Sequence, residues 1–270
     1  MGSYVLRELA KRDNIVVTAL RRAGSKPRIP LGFEPKWLEK PMDELTSDDL
    51  KGLSVVIHLA SVGVSPQKAS WEDLFYWHVY IPTKIFVAAH DAGIRRFVAC
   101  GTYAEYGEAA EKYDFIPPDA PLEPNFPYAA SKAAFFLAAR AFCIEKGIEL
   151  AYLRLFSAFG EGQHDSNFWP SLRRAAREGR SFEMTAGEQV RDFIPVEEAA
   201  ERLCDAAISQ PLVPGKPYVK NLASGHPVTL AEFAQIWWRK WEARGRLCLG
   251  ALPYRSNEVM RYIPQTDALK

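Results

Sequence analysis

Short apolar runs alternate with longer helical stretches along the first 160 residues, and few folds accommodate that alternation. Residues 15–20, 54–59, 97–101 and 149–156 read as strands, rich in Val, Ile, Leu and Phe. Residues 3–11, 71–92 and 128–146 read as helices, with Val5, Leu6 and Leu9 on one face of the first. Strands separated by helix-length connections pair in parallel and carry the helices on both sheet faces. Beyond Gly160 the pattern loosens into helices and loops containing Trp and Pro. We therefore expect an α/β chain whose residues 1–160 form the main domain. Residues 161–270 are expected to form mainly a smaller lobe, interleaved with the last sheet elements.

A net charge of +1 gives no argument for nucleic acid or an anionic membrane as partner. No apolar stretch is long enough to span a bilayer, and no signal peptide is visible. The four cysteines lack metal-ligand spacing; Cys100, Cys143 and Cys204 sit in apolar runs, as buried thiols do in a reducing compartment. These features predict a cytoplasmic protein without a structural metal.

Tyr128 and Lys132 stand one helical turn apart and project from the same face. Thr102 closes the strand-like run Arg96-Phe97-Val98-Ala99-Cys100-Gly101-Thr102. A hydroxyl at a strand end, with a phenol and an ammonium on the next helix, can form a proton-transfer site for a carbinol or carbonyl.

A doubly wound nucleotide-binding sheet opens with a strand and a glycine-rich turn into a helix, whose N-terminus takes the pyrophosphate. Here Met1-Gly2-Ser3 leads directly into the first helix. Only Gly2 can stand for that turn, and the strand that is central in the order 3-2-1-4-5-6 is expected to be missing. Arg21 and Arg22 follow the next strand, where an acid accepting from the adenosine ribose is common. Two arginines suit a 2′-phosphate, which favours NADP(H) over NAD(H).

Several ordered segments together resemble the extended short-chain dehydrogenase/reductases, the NAD(P)-dependent epimerase/dehydratases that act on nucleotide sugars. Val55-Val56-Ile57-His58-Leu59-Ala60 is similar to the strand that lines the cofactor, Thr102-Tyr103-Ala104-Glu105-Tyr106-Gly107 to the active-site loop, and Tyr128 to Lys132 to YxxxK. Leu153 to Gly160 resembles the segment meeting cofactor and substrate; Gly187 to Val196 resembles the RDF motif, whose arginine contacts the diphosphate; Asn221 to Gly225 resembles a later strand and turn. The resemblance implies a Rossmann-type doubly wound parallel sheet with a substrate-binding lobe. It also implies a homodimer formed through the helix carrying Tyr128 and the one before it.

On that basis Thr102, Tyr128 and Lys132 are the candidate catalytic residues. Gly2, Arg21, Arg22, Leu59, Ala60, Lys132 and Leu155 are candidates for the cofactor; Tyr103, Ser157, Asn167, Arg191 and Arg255 for a nucleotide sugar. Phe168 and Trp169 could line the base pocket, or pack. The chain departs from the family at Ser157 and His78, where asparagines are usual, and it stops sooner than the family usually does. The acid and base of the 4,6-dehydratases fall on Tyr103 and Ala104, and Glu105, one residue on, is expected to point the other way. That leaves 4-keto reduction, as in deoxysugar 4-ketoreductases such as CDP-abequose synthase, or 4-epimerisation with retained NAD. A non-catalytic NADP-binding protein or an inactive fragment is the alternative of another class.

Overall fold

A computed structural model describes residues 1–64, 68–255 and 258–266. Its framework is a four-stranded parallel sheet in the order β3 (Val55–His58), β4 (Arg96–Thr102), β5 (Glu149–Leu155) and β9 (Tyr218–Leu222). Two further strands, β1 (Thr18–Arg21) and β2 (Lys36–Glu39), pair in parallel as a sheet of their own. Among the described residues no strand pairs with the second edge of β1 or of β3. The sheet is therefore split where the order 3-2-1-4-5-6 calls for its central strand. β1 starts later than the apolar run suggests, because the ladder begins where Lys36 donates to the Val17 carbonyl, leaving Val16 86% exposed. β2 escaped the sequence reading, since four residues in a loop with prolines nearby show no strand periodicity.

Alternation along β4 divides the core. Val98 points towards α1 (Gly2–Leu9) and α6 (Val196–Ile208), meeting Tyr4, Val5, Leu203 and Cys204. Phe97 and Ala99 point to the opposite face, towards α3 (Ile81–Asp91) and α4 (Pro127–Lys146), and meet Phe86, Ala89, Phe135 and Cys143. Each of the fully buried Phe and Leu side chains here contributes about 1.5–3 kcal/mol. The second of these interfaces holds α4 against the sheet and so fixes where its N-terminal turn stands.

The helix expected over 71–92 exists, but not as one regular element. α2 (Trp71–Phe75) runs through a π-helical turn, Tyr76–Tyr80, into α3. Such turns change which side chains face the core, and this one carries His78, which is buried. The remaining elements are β6 (Ser157–Phe159), β8 (Val190–Pro195), β10 (Pro227–Thr229) and β12 (Arg261–Tyr262), which form a second sheet around β8. α5 (Phe168–Arg177) and α7 (Leu230–Lys240) close over a cluster of Leu172, Ala175, Met184, Ala234 and Trp238. The short strands β7 (Phe182–Glu183) and β11 (Leu247–Cys248) pair beside it.

Candidate active site

In an open α/β sheet the carboxyl ends of the strands form the binding crevice. Here Leu59, Ala60 and Ser61 follow β3, Thr102 ends β4 and Leu155 ends β5, with Thr102 and Leu155 in register. Thr102 also caps a 3-10 turn, Tyr103–Tyr106: its Oγ1 accepts the Ala104 N–H at 3.3 Å, and its own N–H donates to Glu105 Oε1 at 2.8 Å. The bond from Ala104 leaves the hydroxyl proton free to donate into the crevice.

α4 begins at Pro127, whose fixed φ suits a first helical residue, and ends at Gly147 in the left-handed region. Its first turn presents Tyr128, half-buried, with Lys132 buried beneath it. The Lys132 Nζ donates to the Cys100 carbonyl at 2.7 Å. An ammonium has three donors, and the other two meet no acceptor among the described residues. A ribose diol is the kind of group that would complete that shell, so the donor set fits a nicotinamide nucleotide.

Burial lowers the Lys132 pKa, against the pull of Cys100 and Glu105. Tyr128 is pushed well above the usual phenol value, first by burial, while the Ser61 hydroxyl opposes the shift as a hydrogen-bond partner. The Lys132 ammonium is turned to the Cys100 carbonyl, and desolvation dominates at the phenol. Burial likewise depresses His58 to about 3 and His78 to about 4. The His58 ring lies edge-on to Phe135 at 5.5 Å, a packing role.

Glu105 does point away from the crevice. It is fully buried, with Arg154 Nε on its Oε2 at 2.7 Å and the Tyr152 hydroxyl on its Oε1 at 2.8 Å. Arg154 donates in turn to the Pro118 carbonyl at 2.7 Å and the Tyr106 hydroxyl at 3.3 Å. The carboxylate thus ties the Thr102 backbone to β5, and it is unavailable as an acid or base for a bound sugar.

Residues 1–221 match the NAD dependent epimerase/dehydratase family. The chain belongs to that family. It is 28% identical over 209 residues to the low-salt glycan biosynthesis protein Agl12 of Haloferax volcanii, a match covering 73% of this chain and 66% of Agl12. The chain therefore spans slightly less than two thirds of that relative's length. The NAD-dependent NDP-hexosamine 5,6-dehydratase TunA, involved in tunicamycin biosynthesis, is 26% identical with a TM-score of 0.82, covering 98% of this chain and 85% of TunA. MoeE5, solved with UDP-glucuronic acid and NAD, is 25% identical with a TM-score of 0.84, covering 98% and 86%.

The other residues that this epimerase/dehydratase fold was expected to use are placed as follows. Gly2 opens α1, and an added Cβ would meet nothing within 4 Å, so local packing does not require glycine there. Arg21 is committed: its Nε donates to Glu39 at 2.8 Å and its guanidinium lies 4.2 Å from the Trp37 ring. Arg22 is exposed, and its side chain has no hydrogen-bond or ion-pair partner among the described residues. Ala60 is exposed at the crevice, while Leu59 and Leu155 pack partly into the core.

On the substrate side, Tyr103 packs its ring against Phe156 and Tyr262, with centroids at 5.5 and 4.7 Å. Ser157 is half-buried on β6, paired through its backbone to Phe193. Asn167 stands at the N-cap of α5 without a side-chain cap bond. Arg191 is buried and spends both terminal nitrogens on the protein, bonding Val190, Met260 and Val259 carbonyls and Glu258 Oε1 at 2.8 Å. Its neighbour Asp192 accepts the Ser224 and Gly225 N–H groups. Arg255 is exposed. Trp169 packs against Trp237 and Trp241, with ring centroids at 5.5 and 5.6 Å, and also borders a cavity of about 240 Å³ beside Gly160 and Arg173. A separate cavity of about 490 Å³ between β9 and α6 touches none of the catalytic candidates.

Sequence reading missed Ser61, the first hydroxyl after the β3 strand end, and Arg154, hidden in an apolar strand. A polar residue interrupting Tyr152-Leu153 and Leu155-Phe156 was the available signal for the latter.

Proposed function

We propose that the chain is an NAD(P)-dependent oxidoreductase acting at C4 of a nucleotide-activated sugar, and that its reaction is 4-keto reduction. The observation that carries this reading is the meeting of Thr102, at the end of β4, with Tyr128 and Lys132 on the first turns of α4, where Lys132 Nζ reaches the Cys100 carbonyl of the same strand at 2.7 Å. A phenol is protonated at neutral pH, as a group that must give a proton to a ketone has to be. Tyr128 donates that proton to the C4 oxygen, and the free hydroxyl proton of Thr102 bonds the same oxygen and fixes its direction. The two remaining donors of Lys132 would hold a ribose diol of the cofactor, and its charge favours the phenolate left behind. When bound, a nicotinamide supplies the hydride. Dehydration is disfavoured because Glu105 is locked on Arg154, and neither Tyr103 nor Ala104 can serve as its acid or base.

Arg22 is the arginine free for a 2′-phosphate, which supports NADP(H). Arg21, neutralised by Glu39, supports the second reading, a 4-epimerase that retains NAD. We also propose that two copies pair through the α2–α4 face, where Trp71, Tyr80 and Leu137 are 56%, 61% and 59% exposed. Among the described residues no helix is long and apolar enough to cross a membrane.

The test pairs two assays. Consumption of NADPH with a UDP-4-keto-6-deoxyhexose supports reduction; conversion of a UDP-hexose to its C4 epimer without added reductant supports the epimerase. Tyr128→Phe should abolish either reaction while leaving cofactor binding intact, and unchanged turnover would remove Tyr128 from the mechanism.

A further inference from the structure

Tyr128 has a second set of neighbours that the proton transfer above does not use. His78 is buried on the π-helical turn, with its ring edge-on to Tyr128 at 5.4 Å. Its Nε2 accepts the Val62 backbone N–H at 3.1 Å and lies 2.9 Å from the Ser61 Oγ. On the other side Nδ1 lies 2.8 Å from Ser131 Oγ, and that hydroxyl donates to the Tyr128 carbonyl at 2.8 Å. These bonds have one consistent direction. A backbone N–H can only donate, so Nε2 is the acceptor; Ser131 spends its proton on a carbonyl, so Nδ1 carries the hydrogen. The imidazole is thereby fixed as the neutral Nδ1–H tautomer from both ends. Ser61, exposed at the crevice, has the Nε2 lone pair on one side and lies within hydrogen-bonding reach of the Tyr128 phenol on the other.

We propose that Ser61 is a hydrogen-bond switch for Tyr128, and that His78 is the positioning residue that holds it. This rests on Tyr128 being the proton donor of the proposed reaction. While Tyr128 is a phenol, its O–H can donate to Ser61 Oγ and the Ser61 proton points at His78 Nε2. When the phenol proton passes to the C4 oxygen, the Ser61 hydroxyl turns and donates to the phenolate. No proton leaves Ser61, and no bond of His78 is orphaned, because the Val62 N–H still occupies Nε2. Ser61 thus stabilises the charged form of Tyr128 that exists only after proton transfer. The π-helical turn is what brings an imidazole, buried and fixed in tautomer, to this position.

Imidazole ¹⁵N spectra of histidine-labelled protein, with His78 assigned through His78→Gln, test the first half without any ligand. The Nδ1–H tautomer is expected between pH 6 and 8 in both wild type and Ser61→Ala; an Nε2–H tautomer would overturn the proposal. Kinetics with a UDP-4-keto-6-deoxyhexose and NADPH, or a UDP-hexose in the epimerase assay, test the second half. A hydrogen bond to a charged oxygen is worth roughly ten- to hundredfold in rate. Ser61→Ala should lose about that much in kcat, with KM nearly unchanged and the tyrosine limb of the pH profile moved upward. His78→Gln, whose amide can accept from Val62 and Ser61 and donate to Ser131, should retain most of the rate. If Tyr128→Phe is inactive while Ser61→Ala matches wild type in kcat and pH profile, the switch is refuted and the proposed function stands. If Tyr128→Phe turns over normally, the proposed function itself fails.

Discussion

Arg154→Met tests how the active-site turn is anchored. The wild-type pair is fully desolvated, with the Glu105 and Arg154 side chains 0% and 1% exposed and 2.7 Å apart. Methionine fills most of the volume but leaves the Glu105 charge with only the Thr102 N–H and the Tyr152 hydroxyl as partners. Leaving one member of a buried pair uncompensated costs about 3–5 kcal/mol. In a chain of this size that corresponds to a fall in Tm of roughly 10 °C. Glu105→Gln alone should also destabilise, because it strands the guanidinium. The double variant Glu105→Gln/Arg154→Met removes both charges while the amide oxygen can still accept from Thr102 and Tyr152. It should therefore recover about 2 kcal/mol relative to Arg154→Met, as a favourable coupling. Urea titrations of the four proteins at pH 7 give the cycle directly. A wild-type midpoint for Arg154→Met, or a double variant as unstable as the sum of the singles, would refute the account of a buried, charge-coupled anchor.

Other outcomes follow from the same geometry. Gly107 ends the active-site turn at φ +52°, and a Cβ there would stand 1.9 Å from the Glu123 carbonyl oxygen; Gly107→Ala should destabilise by more than about 2 kcal/mol in the same urea assay. His58 and His78 have folded pKa values of about 3 and about 4, below the ordinary 6.5. Between those values the unfolded chain binds more protons, so this contribution is intact above pH 6.5 and is lost as pH falls towards 4 and 3. Each histidine adds a slope of up to about 1.4 kcal/mol per pH unit. His78, which faces Lys132, should therefore give a shallower decline when changed to Gln, measured by urea titrations from pH 7 to 4.5. Arg22→Ala should weaken NADPH binding by about tenfold, as loss of a charge-assisted bond does, while Arg21→Ala changes it little; fluorescence titrations with NADPH and NADH decide this. Leu137→Glu should convert a dimer to monomer in light scattering if the α2–α4 face is the interface.

β3, β4, β5 and the Tyr128 helix were legible in the sequence because apolar runs and helical spacing are local properties, whereas β9 was met only through the resemblance of Asn221 to Gly225 to a later strand and turn. Tyr128, Lys132 and Thr102 were legible for the same reason, as one fixed spacing on a helix and one hydroxyl at a strand end. The roles of Arg21 and Arg191 were not. A guanidinium's partner is set by which carboxylate the fold brings near it, and Glu39 and Glu258 lie 18 and 67 residues away along the chain. The phenol's environment was likewise out of reach, since desolvation depends on what covers a group rather than on its neighbours in sequence.

The sequence by itself determined the class of fold, the parallel sheet and the chemistry available at the strand ends, through periodicity and residue type. Only the tertiary structure decided which charges were already spoken for. It buried Glu105 against Arg154, turned Lys132 to the Cys100 carbonyl, and set Ser61 and His78 beside Tyr128. Those choices depend on close approach between segments distant in the chain, and hydrogen bonding and desolvation act only at contact range.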